Sequence, residues 1–163
     1  MLLLATGWFA AKADHITGGE MTYQYAGIQN GEHLYRFSLR LLMRCNSGRV
    51  FPDPIRISVF ENGNYNRVAD LSVPLGGRNN ISLTTNDPCI SNPPPVCYEV
   101  ADYYFDVLVP ANQQGYTVSA QVNFRINGLA NVSPGTTNIG ATYTAEIPGN
   151  LSTQEAFRNS SAR

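Results

Sequence analysis

The sequence predicts an all-β domain: an antiparallel β-sandwich of about seven strands, Ig-like or jelly-roll-like. Three observations predict it. First, apolar and polar residues alternate with a period of two along most of the chain, which sorts side chains onto the two faces of a strand and would scatter them around a helix. Second, the alternating segments are separated by turn signals rich in Asn, Gly and Pro. Third, only 14% of residues are charged, and Lys12 is the sole lysine, a composition poor in the residues that build long helices. Strands with one apolar face need a second sheet to cover it, hence a sandwich, with a closed barrel as the alternative.

The elements follow in order. Leu2 to Ala11 is a ten-residue apolar run, too short to span a bilayer. It leads into Ala11-Lys12-Ala13, with small residues where a signal peptidase looks for them. Residues 1–13 therefore read as a signal peptide lacking its basic n-region, as a truncated start would. Residues 14–149 read as the sandwich domain, and 150–163 as a polar tail or a linker to further domains. "MTYQYAG" and "HLYRFSLRLLMRC" form the first hairpin around Asn30-Gly31, a pair that tolerates the positive φ of a tight turn. In the second strand Tyr35, Phe37, Leu39, Leu41, Met43 and Cys45 share one face; Arg36, Ser38, Arg40 and Arg44 share the other, with Leu42 the exception. "PIRISVF" and "RVADLSVPL" make a second hairpin around "ENGNYN". "CYEVADYYFDVLVP" points Ala101, Tyr103, Phe105, Val107 and Val109 inward and stops at Pro110. "YTVSAQVNFRI" and "ATYTAEIPG" alternate likewise across the turn-rich "NGLANVSPGTTN". A helix is expected only in "STQEAF", where Ser152 and Glu155 have capping-box spacing.

A net charge of −1 gives no electrostatic ground for nucleic acid or an anionic membrane. With two histidines, His15 and His33, and no GxSxG or HExxH pattern, no catalytic or metal-binding set is expected and no cofactor is implied. Asp102 and Asp106 share a strand face four residues apart, a spacing that leaves paired-carboxylate chemistry open. Tyr98 and Tyr104 share that face. Tyrosine offers an apolar ring with a polar tip, so Tyr98, Asp102, Tyr104 and Asp106 are the candidate ligand face, for glycan if for anything. Arg36, Arg40 and Arg44 form a basic stripe, for which pairing with Asp102 and Asp106 across strands is the simplest expectation.

Of the three cysteines, Cys89 and Cys97 bracket a proline run in "NDPCISNPPPVCYEV". Zinc wants four ligands and a redox pair wants CxxC; neither fits. Three disulfide connectivities are formally possible. Cys89–Cys97 is the most local, and closing so short a loop stabilises by roughly 2.5 kcal/mol in the chain-entropy account. That pairing leaves Cys45 as an unpaired thiol at a strand end.

"DHITGGEMTYQYAG", "YRFSLRLLMRCNSG", "NDPCISNPPPVCYEVADYYFDVLVP" and "QGYTVSAQVNFRIN" together resemble the N-terminal domain of large secreted Bacteroidetes surface proteins. These are the PKD-domain and gliding-motility-associated substrates of type IX secretion. The match to the family opening rests on His15, Ile16, Gly18, Gly19, Glu20 and Tyr23. Cys45 matches its first-strand cysteine loosely, and Asp87, Pro88, Cys89, Pro94, Pro95 and Cys97 match its cysteine–proline loop. The family's "RCCRN"-like motif is replaced here by "NFRIN", with Phe124 and Ile126 near the cysteine positions, a departure that would leave Cys45 without its partner. The resemblance implies a secreted or cell-surface location and a non-catalytic adhesion or gliding role. It implies partners among other domains of the same protein, extracellular proteins or glycans, and no membrane insertion once the signal is removed.

Overall fold

A computed structural model describes residues 15–83, 96–123, 125–126, 139–150, 158 and 160–161. Eight strands form two four-stranded antiparallel sheets that do not close into a barrel. They are β1 (Ile16–Gln29), β2 (Glu32–Arg44), β3 (Ile55–Glu61), β4 (Arg67–Val73), β5 (Gly77–Leu83), β6 (Val96–Val109), β7 (Gly115–Val122) and β8 (Ala141–Pro148). One sheet runs β1-β2-β6-β5, the other β4-β3-β7-β8.

The alternation seen in the sequence is the sandwich interior. Leu39, Leu41 and Met43 of β2, Ile57 and Val59 of β3, Ala101 and Tyr103 of β6, and Val118 and Ala120 of β7 are fully buried. Across the first sheet, Tyr23, Phe37 and Phe105 stand in one register row. Their rings stack at 5.3 Å (Tyr23–Phe37) and 5.1 Å (Phe37–Phe105), the cross-strand aromatic contact that adds to area burial. The buried tyrosines keep their hydroxyls satisfied: Tyr23 donates to the Glu146 carbonyl of β8 (2.8 Å) and Tyr103 to that of Pro52 (2.7 Å). Burial raises the Tyr23 pKa, with Glu146 adding to the effect, and raises that of Tyr103, chiefly by the same desolvation.

The turns match their chemistry. Asn30 (φ 54°) and Gly31 (φ 84°) form the tight β1–β2 hairpin between the paired Gln29 and Glu32. Both central residues have positive φ, as a type I′ turn requires. β1 begins earlier than "MTYQYAG" suggests, and Gly19 shows why it can. A Cβ there would sit 2.6 Å from the Arg40 carbonyl oxygen and 2.9 Å from the Tyr143 ring, so the backbone of β1 passes β2 only as glycine. The free edge of β1 is met by the C-terminal tail. Ser161 donates its backbone N–H to the Tyr23 carbonyl (3.1 Å), and the hydroxyls of Ser161 and Ser160 accept from the N–H groups of Tyr23 (2.8 Å) and Tyr25 (3.2 Å).

Two expectations are corrected. β5 is an eighth strand where the sequence reads as connection. Its residues 77–83 pair with 96–102 of β6, but residues 78–82 are all exposed, Ile81 at 44%. With neither face of this stretch buried, periodicity has nothing to find. The second correction is the disulfide. Cys97 is bonded to Cys45, not to Cys89. Cys45 is the next residue along the strand face that carries Met43, and the β2–β6 register, which pairs Met43 with Glu99 and Arg44 with Tyr98, brings it opposite Cys97. Their Cα atoms are 5.3 Å apart and Cys45 N–H donates to the Cys97 carbonyl at 3.1 Å, a separation at which disulfides form readily. Cys45 is therefore neither a free thiol nor short of a partner, and no missing cysteine near Phe124 or Ile126 is needed to explain it. Cys89, Phe124, the 1–13 segment and "STQEAF" lie outside the described residues.

Candidate functional site

β6 is the second central strand of its sheet, and its outward residues are displayed between those of β2 and β5. The β2–β6 register sets them in rows: Arg44 beside Tyr98, Arg40 beside Asp102, Ser38 beside Tyr104, and Arg36 beside Asp106. On the far side of β2, β1 extends three of these rows with Glu20 next to Arg40, Thr22 next to Ser38 and Gln24 next to Arg36. The face expected from the sequence is thus one continuous surface, and the arginine stripe lies against the aspartates.

Its members are not alike. Arg40 donates through Nε to Asp102 Oδ1 at 2.9 Å, and Glu20 approaches the same guanidinium at 3.6 Å. The hydrogen bond and charge of Asp102 hold the Arg40 pKa above its ordinary value. Asp102 is only 6% exposed: it is covered and committed to Arg40, the cross-strand pairing expected of the arginine stripe. Asp106 is exposed and lies 4.0 Å from Arg36, itself mostly exposed, a loose pair worth little. Four residues along one strand separate their Cα atoms by about 13 Å. That exceeds the carboxyl spacings of roughly 5–10 Å used in glycoside hydrolysis, so Asp102 and Asp106 do not form such a pair. Tyr98 is half-buried, opposite Ile81 of β5.

Tyr104 is the feature that stands out: it is 63% exposed at the middle of the face. Its ring is backed by Gly76, where a Cβ would come within 2.9 Å of the ring and 3.0 Å of the Asp102 carbonyl oxygen, and the Gly76 N–H donates to that carbonyl at 2.9 Å. The connection between β4 and β5 therefore supports the tyrosine from one side and leaves the rest open. Sequence reasoning found Tyr104 and missed Gly76 and Glu20. "PLGG" carried the only signal for Gly76, a glycine pair before a strand that was itself hidden. Among the described residues, no group of three His, Cys, Asp or Glu side chains gathers as a metal site would.

No family model, curated protein or solved structure matches the chain.

Proposed function

We propose that the chain is a non-catalytic interaction or structural module of a secreted or cell-surface bacterial protein, of the adhesion or gliding-associated kind that its motifs resemble. The Cys45–Cys97 bridge carries the reading, since disulfides persist in oxidising compartments and are rare in a reducing cytosol. It ties two adjacent strands at an end of the sandwich, where it reinforces a folded scaffold and offers no open chemistry. Among the described residues no helix is long and apolar enough to cross a membrane, which is compatible with an extracellular place. The test is export. The chain expressed with residues 1–13 in a bacterium should be recovered outside the cytoplasm, cleaved near Asp14, with Cys45 and Cys97 joined. Retention in the cytoplasm as an uncleaved, fully reduced and stably folded chain would overturn the reading.

A second reading, glycan binding, is favoured by one observation: the exposed Tyr104 ring braced by Gly76 within a flat row of Thr22 and Ser38. An aromatic ring with polar neighbours on a rigid sheet is a suitable stacking platform for a sugar face. A glycan array probed with the parent chain and with Tyr104→Ala separates the two. Specific binding lost in the variant establishes the glycan role, and no binding by either leaves the interaction-module reading alone.

A further inference from the structure

The edge strand β5 borders a second feature. At one end of the sandwich, between β5, the 49–53 segment and the end of β7, lies a cavity of about 730 Å3. That lies within the range of roughly 300–1,000 Å3 typical of small-molecule sites. Its apolar wall includes Ile16, Phe51, Leu75 and Val122; its cations are Arg49 and Arg78.

The cavity is built, not left over. Arg78 stands on the edge strand β5 in register with Ala101, its side chain about half exposed where it lines the cavity. It is steadied by Glu99 (Nη2 to Oε2, 2.9 Å) and lies 6.0 Å from the centroid of the buried Phe51 ring. The segment that forms the lip is held at two points: Tyr103 donates to the Pro52 carbonyl at 2.7 Å, and Asp53 Oδ1 accepts from the Leu75 N–H at 3.0 Å. The lip is thus pre-organised, which lowers the entropy a ligand must overcome. Among the described residues Asp53 is the only acid in the lining, and one of its oxygens is already used.

We propose that this cavity binds an amphipathic carboxylate: an apolar body the size of one or two residues against Phe51, Leu75 and Val122, with its carboxylate on the Arg78 guanidinium. Glu99 engages one terminal nitrogen of Arg78. The planar fork has five N–H donors and suits carboxylate geometry, which a bare ammonium would match less well. The same chemistry is offered by a free aromatic or aliphatic acid and by the C-terminal residue of a partner polypeptide.

The experiment is a backbone-amide NMR titration of the full chain with N-acetyl-phenylalanine, its uncharged amide, and an N-acetylated tetrapeptide ending in Leu-Phe with a free carboxylate. A carboxylate ligand should shift the amides of Leu75–Arg78 and Gln121–Asn123. The amide should bind about tenfold more weakly or worse, the loss expected for one charge-assisted contact. Arg78→Gln should cost a similar factor. Leu75→Trp fills the cavity, leaves the Arg78–Glu99 pair intact and should abolish the shifts while thermal unfolding confirms the fold. Tyr104→Ala should change nothing, which keeps this site separate from the glycan reading. Binding by the peptide alone would identify a polypeptide end as the source, and equal binding by the free acid a small metabolite. No shifts with any ligand at about 10 mM, beyond the millimolar affinities that count as weak, would overturn the proposal. So would equal affinity for acid and amide, or binding retained in Leu75→Trp.

Discussion

Replacing both Cys45 and Cys97 with alanine tests the fold and the disulfide correction together. The bridge joins residues 52 apart in sequence. In the chain-entropy account the denatured chain loses about 2.1 + 1.5R ln 52, or roughly 14 cal/mol/K, which is about 4 kcal/mol at 25 °C. A Cys89–Cys97 loop would give only about 2.5 kcal/mol by the same formula. Against a total stability of roughly 5–15 kcal/mol for a domain, losing the longer link is a large fraction. Urea unfolding followed by circular dichroism should show the double variant losing about 3–4 kcal/mol. It should also show a steeper dependence on urea, because an uncrosslinked denatured chain exposes more surface. Cys89→Ala should unfold like the parent. Peptide mapping of the oxidised protein should recover Cys45 linked to Cys97, with one free thiol, at Cys89. The reasoning fails if the double variant stays within about 1 kcal/mol of the parent with an unchanged slope, or if Cys89→Ala is as damaging as Cys97→Ala.

Three further outcomes follow from the geometry. Gly115 has φ +81°, and a Cβ there would collide with the Ile147 carbonyl of the neighbouring strand, so Gly115→Ala should cost about 2 kcal/mol or more and lower Tm on a thermal scan. Burial first, and the charge of Arg158 second, hold the His33 pKa below its ordinary 6.5. Its neutral form therefore belongs to the folded state, and its contribution is full above 6.5 and lost as pH falls through the folded value. Unfolding free energies measured from about pH 7.5 down to 5 should decline less steeply in His33→Gln than in the parent. Removing the Arg40 guanidinium in Arg40→Met leaves the covered Asp102 carboxylate without its 2.9 Å donor. Because Arg40 is itself about half exposed, the cost should be about 1–2 kcal/mol by chemical denaturation, below that of a fully buried pair.

Much of the sandwich is legible in the sequence because burial on one face imposes a period of two, and β2, β6, β7 and β8 display it plainly. The register of β2 against β6 is what single-strand patterns do not state, and the disulfide misreading comes from it. Cys45 and Cys97 look remote in sequence yet meet across one rung, while Cys89 and Cys97 look adjacent. The burial of Asp102 is likewise not stated by its own strand; the carboxylate is held by Arg40 of the neighbouring one. The arginine–aspartate pairing was readable because both stripes have the same period. β5 was not, since an edge strand with residues 78–82 all exposed is defined by backbone pairing with β6 and not by apolar contacts. Tyr104 was recognisable as a surface aromatic, but its support comes from that same hidden region.

The serines at the end of the described chain bear on how copies of this domain meet. An outer strand as long as β1 presents unpaired amides and carbonyls that another polypeptide can extend into a wider sheet. A neighbouring strand laid there would satisfy them but would pass the same vulnerability to its own far side. Here the Tyr23 and Tyr25 amides are met by hydroxyl groups, with a single main-chain bond from Ser161. A hydroxyl satisfies an amide without presenting a further ladder. At these two tyrosines the edge is closed chemically, and no further ladder can start from their amides.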